Sequence, residues 1–169
     1  MARCWPGTGP AARLRGCRDL YNALIDSTTV AWTDEPQTLR QRRAWFRRQQ
    51  RNDHPVLVAE NATGVVGFAA YGSFRGSGKW PGYRHTVEHT IHVDGESWGR
   101  GIGRSLLEEL IARARRSDVH VMVGAVDGDN IDSIRFHERC GFVEVARMPE
   151  VGFKFGRWLD LVLMQRIIG

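Results

Sequence analysis

One stretch in the middle of the chain constrains the fold more than any other. A run rich in β-branched residues, YRHTVEHTIHV (83–93), leads through DGESWGRGIG into SLLEELIARARR. In that last segment Leu106, Leu107, Leu110, Ile111 and Ala114 share one helical face. A strand, a glycine turn and an amphipathic helix in direct succession call for a sheet with a helix packed on it. The flanking segments extend the pattern. Leu20, Leu24 and Ile25 recur at helical spacing between Cys17 and about Ser27, and Thr38 is a plausible N-cap for a helix reaching about Gln50, ended by His54 before Pro55. VLVAE and VVGFAAYGSF read as antiparallel strands around the NATG turn. HVMVGAV is a buried-type strand, NIDSIRFHERCG a helix closed by Gly141, and FVEVARM and RWLDLVLMQRII two further strands. The order predicts an α/β (α+β) domain on one mixed, mostly antiparallel central sheet. Residues 17–169 form that single domain. Residues 1–16, rich in Gly and Pro, read as an atypical, poorly organised start with a short strand near Ala2–Trp5.

Charge and cysteine usage narrow the class. The 24 Lys+Arg exceed the 19 Asp+Glu by 24 − 19 = 5, a basic balance that suits an anionic ligand. Arg40, Arg42, Arg43, Arg47, Arg48 and Arg51 crowd one predicted helix, where they read as a solvated face around Leu39, Trp45 and Phe46. No helix-turn-helix or RNA-recognition signature accompanies them, so no nucleic-acid partner is expected. No apolar run approaches the roughly 18 residues of a membrane span, and none is expected to enter a membrane. The N-terminal residues lack the apolar segment of a secretory signal, and the three cysteines are far apart, which points to a reducing cytoplasm. His85, Glu88 and His89 match H-x-x-E-H, a zinc motif when helical. On a strand those histidines stand about 13 Å apart, too far for one metal, so no metal is expected.

Trp98, Gly99, Arg100, Gly101, Ile102 and Gly103 lie between the strand and the helix. Unpaired N–H groups at a helix N-terminus favour a phosphate, and Arg100 and Arg104 add positive charge. A tight turn that needs φ > 0 is the other reading of the same glycines, and both stand. Neither a P-loop nor a Rossmann fingerprint fits, because no Gly-Lys-Ser/Thr follows and the preceding strand belongs to an antiparallel run. Strand alternation sets His85, Val87, His89, Ile91 and Val93 on one face and Thr86, Glu88, Thr90 and His92 on the other. Glu88 is an unusual carboxylate among Thr and Val. It reads either as a surface ion-pair partner or as a general base whose pKa partial burial would raise. Cys140 stands just before Gly141, where packing is its default role.

The turn 98–103 resembles the acetyl-CoA-binding turn of the GNAT (GCN5-related N-acetyltransferase) superfamily, and Asn130–Ser133 with His137–Phe142 resembles that family's second characteristic segment. TTVAWTDEPQT (28–38), YRHTVEHTIHV (83–93), HVMVGAVDGDN (120–130) and VGFKFGRWLDLVLMQ (151–165) are similar to its phosphinothricin and methionine sulfoximine N-acetyltransferase branch. Trp98 replaces the usual Arg or Gln, His92 the usual Tyr, and Gly76–Lys79 is an insert. The resemblance implies six or seven strands flanked by about four helices. It also implies acetyl transfer from acetyl-CoA to the amine of a small amino-acid-like substrate, without a metal, with Glu88 as base and His137 as acid or second base. It puts Ile91, His92, Val93, Trp98, Gly99, Arg100, Gly101, Ile102, Gly103, Arg104, Asn130 and Ser133 on the coenzyme. Trp32, Arg75, Tyr83 and Arg84 fall on the substrate, with Lys79 as an addition. A homodimer is expected. Two other readings are an acetyltransferase for another small amine, and a catalytically inactive coenzyme-A-binding or basic interaction module.

Overall fold

The computed structural model describes residues 3–4, 11–76 and 80–169. The chain runs β1 (Arg3–Cys4), α1 (Ala11–Ile25), α2 (Leu39–Arg51), β2 (Val56–Asn61), β3 (Gly64–Ser73), β4 (Thr86–Val93), α3 (Ile102–Arg115), β5 (Val121–Asp127), α4 (Ile131–Arg139), β6 (Val143–Lys154) and β7 (Arg157–Ile167). The strands form one sheet in the order β1-β2-β3-β4-β5-β7-β6. Every neighbouring pair is antiparallel except β4 and β5, which run parallel. This is the expected α/β architecture.

Helices cover both faces. α1 and α2 pack on one through Leu14, Cys17 and Phe46 against Val56, Val58, Phe68 and Ala70. α3 and α4 cover the other, with Leu106, Leu107, Leu110 and Ile134 against Leu57, Ala69, Val87 and Met122. Thr38 does cap α2, its hydroxyl accepting from the Gln41 N–H while the Gln41 side chain accepts from the Thr38 N–H.

Three expectations are corrected. Part of the segment expected to be poorly organised is helical, because α1 begins at Ala11, six residues before Cys17. Gly16 is a contact point within that helix: a Cβ there would lie 2.7 Å from the Val65 side chain, so only glycine lets α1 approach β3 this closely. The early strand is present as Arg3–Cys4 paired with β2, whereas Ala2, Trp5 and Lys79 lie outside the described residues. β4 starts at Thr86 instead of Tyr83, since Pro81–Tyr83 forms a 3-10 turn. On α2 only five of the six arginines are solvated; Arg42 is buried with Phe46 and Gln49.

A buried cation ties down the long connection between α1 and α2. Lys154, only 2% exposed, donates from Nζ to the carbonyls of Ile25 (2.6 Å), Thr28 (2.9 Å) and Ala31 (2.7 Å). Nearby, Trp32 lies so close over Gly152 of β6 that a Cβ there would meet its ring at 2.3 Å. The end of β6 thereby fixes the segment leading into α2. Replacing Lys154 by Met would leave three buried carbonyls without a donor. The expected cost is about 3 kcal/mol, read as a fall of roughly 6–12 °C in Tm by differential scanning calorimetry.

Candidate active site

The parallel pair is short. Thr86, Val87, Glu88 and His89 pair with Val121, Met122, Val123 and Gly124, and there the ladder stops. β4 continues to Val93 bonded to β3, and β5 continues to Asp127 bonded to β7. Beyond His89 and Gly124 the two strands therefore part, and the backbone groups they would have shared face the opening. At its far end the Trp98 indole N–H donates to the Val93 carbonyl (2.9 Å), while the rest of this ring is exposed.

The glycine turn stands at the same end of the sheet. Gly99 and Gly101 adopt φ of +73° and +76°, and the space where their Cβ atoms would stand is empty to 4 Å. Gly101 is the N-cap of α3, so no side chain caps the first N–H groups of that helix. The two readings of these glycines turn out compatible: positive φ makes the turn, and the turn leaves the donors open. Arg100 is exposed and Arg104 pairs with Glu108 at 2.7 Å. A diphosphate fits this corner, since donors, positive charge and room coincide. Ile91 and Val93 pack towards α3 beside Ile102, and Gly103 passes in ordinary contact with Phe136. The Asn130 side chain is engaged through Oδ1 as the N-cap of α4, accepting from the Ser133 N–H at 3.0 Å. Its amide N–H groups are the part left to meet a ligand.

β4 pairs with β3 from Val87 to Val93 without a register shift, so its side chains alternate as the sequence indicates. Glu88 opens into a cleft of about 510 Å³ on the α1–α2 face, lined also by Arg42, Trp45, Gln49, Thr90 and His92. Burial raises its carboxyl pKa above the ordinary value. His89 points to the other face, where its ring lies 5.1 Å from that of His137. His137 is buried, and its Nδ1 donates to the Ser133 carbonyl at 2.7 Å, which leaves Nε2 as an acceptor without a partner. Burial lowers the pKa of His137, an effect only partly offset by that hydrogen bond. Both imidazoles converge on Gly124, whose Cβ would stand 2.7 Å from the His89 Nε2 and 3.2 Å from the His137 Nε2. Glu88 and His137 thus approach the split from opposite faces of the sheet. One reacting group can meet both only inside the gap.

The residues expected at the substrate are not at this cleft. Trp32 packs on Gly152, Arg75 is exposed with its guanidinium 5.9 Å from the Tyr83 ring, and the Arg84 side chain donates to the Pro81 carbonyl. None of the four lines the cavity that holds Glu88. Arg42 does line it, and was missed because an arginine-rich helix reads as solvated. The signal available was its place four residues before Phe46, on the stripe that faces the sheet.

The profile of the Acetyltransferase (GNAT) family matches residues 17–142. The chain belongs to this family. It is 45% identical over 155 residues to the L-methionine sulfoximine/L-methionine sulfone acetyltransferase of Pseudomonas aeruginosa, covering 91% of this chain and 88% of that one. It is 34% identical to the phosphinothricin N-acetyltransferase of Alcaligenes faecalis, over 98% of this chain and 84% of the relative. The crystal structure of a GNAT superfamily phosphinothricin acetyltransferase from Sinorhizobium meliloti, in complex with acetyl-CoA, superposes with a TM-score of 0.91 at 31% identity, covering 100% of this chain and 88% of that one.

Two outcomes follow from the buried imidazoles. Gly124→Val should force His89 and His137 apart and cost about 1–3 kcal/mol, checked by urea unfolding. Acid should weaken the fold early. Burial depresses His89 to about 3 and His92 to about 4, whereas an unfolded histidine titrates near 6.5. Below about pH 6.5 the unfolded chain binds protons that the folded chain refuses, so stability falls by roughly 1 kcal/mol per pH unit for each histidine until the folded values are reached. Tm measured from pH 7 to pH 5 should fall, and less steeply in His89→Gln.

Proposed function

We propose that the protein transfers the acetyl group of acetyl-CoA to the amine of a small amino-acid-like substrate of the methionine sulfone, methionine sulfoximine or phosphinothricin type. The observation that carries this reading is the parting of β4 from β5 beyond His89 and Gly124, with an open glycine corner at one end and Glu88 at the other. The relatives' names supply the substrate class.

When bound, acetyl-CoA supplies a thioester whose acetyl group is activated towards an amine. The chain's own residues do the rest. The amides of residues 101–104, with Arg100, hold the diphosphate. Ile91 and Val93 offer main-chain groups towards the gap, with His92 between them bonded to β3, and Trp98, Asn130 and Ser133 flank the arm that runs through the gap. Backbone N–H groups freed beyond His89 can donate to the acyl carbonyl, where developing negative charge needs fixed donors. Glu88 takes a proton from the ammonium of the substrate so that its nitrogen can attack. A carboxylate with a raised pKa is the stronger base for that step. His137, its Nδ1 donating to the Ser133 carbonyl, faces the gap from the other side with Nε2 free to accept: as second base it takes the proton the nitrogen sheds on becoming an amide, and as acid it passes that proton to the departing sulfur. Arg75, Tyr83 and Arg84 stand just beyond β3 and before β4, as a rim through which the substrate enters; Trp32 shapes the connection behind it. No metal is needed by this chemistry.

We also infer a homodimer. Val143, Val145, Met148, Val151, Phe153 and Trp158 are exposed along the β6–β7 hairpin, an apolar face that a second copy would cover. Cys17 and Cys140 are free, as in a reducing cytoplasm.

Thiol release from acetyl-CoA with a panel of amines tests the reading. Methionine sulfone should be acetylated, and Glu88→Gln should lower kcat about 10²- to 10⁴-fold with acetyl-CoA affinity unchanged. The acidic limb of the kcat/KM profile should fall above the ordinary carboxylate range, because below that pH Glu88 holds its proton and cannot accept another. Gly101→Val should act at the other end. It places a β-branched residue at positive φ in the corner, and should weaken acetyl-CoA binding at least about 10-fold by calorimetry. Acetyl-CoA binding without turnover of any amine would favour a binding module instead.

A further inference from the structure

Arg42 carries a buried charge with no counter-charge in contact. It is 3% exposed on the inner stripe of α2, and its guanidinium carbon stands 4.9 Å from the ring centroids of Tyr21 and Trp45 and 5.2 Å from that of Phe68. Nε and Nη2 have no hydrogen-bond partner, and among the described residues no carboxylate forms an ion pair with this side chain. Aromatic faces attract a cation, but they accept no hydrogen bond in the guanidinium plane, so the fork of donors stays unanswered.

His92 sits beside it, its ring 5.4 Å from Tyr21 and 5.0 Å from Phe68, with Nδ1 also unpartnered. Burial, then the nearby Arg42, keep this imidazole neutral at physiological pH. A neutral imidazole next to a cation leaves the positive charge uncancelled, and its own N–H can add a donor. Both groups line the cleft that holds Glu88 and Thr90. Glu88 does not serve as the missing counter-ion, since it makes no ion pair with Arg42. A planar fork of N–H donors in a low-dielectric pocket matches a pair of oxygens on one atom.

We propose that Arg42, with His92 beside it, is the subsite that receives paired oxygens of the substrate while Glu88 takes its amine. This rests on the amino-acid-like substrate named above and deepens it, because it assigns recognition to α2 rather than to Arg75 and Arg84. Two parts of such a substrate carry paired oxygens: the α-carboxylate and the sulfone or phosphinate head. The fork fits either, and the substrates below separate them.

The test compares wild type and Arg42→Gln with L-methionine sulfone, its α-carboxamide and L-methionine. If the carboxylate sits on Arg42, wild type prefers the free acid over the amide, and Arg42→Gln shrinks that preference roughly 10- to 100-fold, mainly in KM. If the oxo head sits there, the preference for the sulfone over methionine shrinks instead. Either collapse supports the subsite. Retention of both preferences overturns it, because a purely structural arginine would lower all rates together. Arg42→Lys keeps the charge without the fork and gives the same readout if the glutamine variant does not fold. Calorimetric titration of L-methionine sulfone separates the two claims. Tight binding by wild type that is lost in the variant, without turnover by either, upholds the subsite and removes the acetyltransferase reading; equal binding by both, or none, overturns the subsite.

Discussion

The organisation of this protein depends on two adjacent strands that cannot stay paired. β4 is bonded to β3 up to Val93, and β5 to β7 up to Asp127, so each follows a different neighbour once the sheet twists. Four residues of parallel ladder are what the two share. The parting converts ordinary sheet backbone into a row of available donors and acceptors without any loop having to supply them. On one side of the last shared rung, His89 and His137 occupy the volume that a side chain on Gly124 would need. That packing leaves no room for any residue but glycine at the last rung.

The site is consequently two-sided. Glu88, Arg42 and His92 belong to the α1–α2 face, and His89 and His137 to the α3–α4 face. A sheet ordinarily insulates its faces from one another, but here the gap lies between the carboxyl of Glu88 on one face and the unpartnered Nε2 of His137 on the other. The same arrangement explains why neighbouring residues differ so much in character. Glu88 has a carboxyl with a raised pKa beside a cleft, while His89, one position on, is buried and neutral.

Much of this was readable from the residues because it rests on local rules. The phase of β4 follows from period-two alternation, and the role of Gly101 from the backbone that a strand-to-helix corner requires. Arg42 and Lys154 were not readable, since the burial of a lone cation is decided by what packs around it from distant parts of the chain. Lys154 finds its partners 123 to 129 residues away. The start of α1 was hidden for a similar reason: the glycines and prolines of residues 1–16 read as a poorly organised start, and that Gly16 sits inside a helix to admit Val65 depends on a strand some fifty residues away. Trp32, Arg75, Tyr83 and Arg84 sit on connections between elements, where patterns of periodicity say nothing about direction.

The ammonium of Lys154 has a consequence for how the molecule matures. The carbonyls it gathers belong to the stretch that carries the chain from α1 into α2, the wall on which Arg42 is mounted. A nascent chain still lacking β6 would have no donor for those three carbonyls, even with α1 and α2 already packed on the sheet. The connection into α2 would then set late, when β6 joins the sheet and brings this cation to its carbonyls.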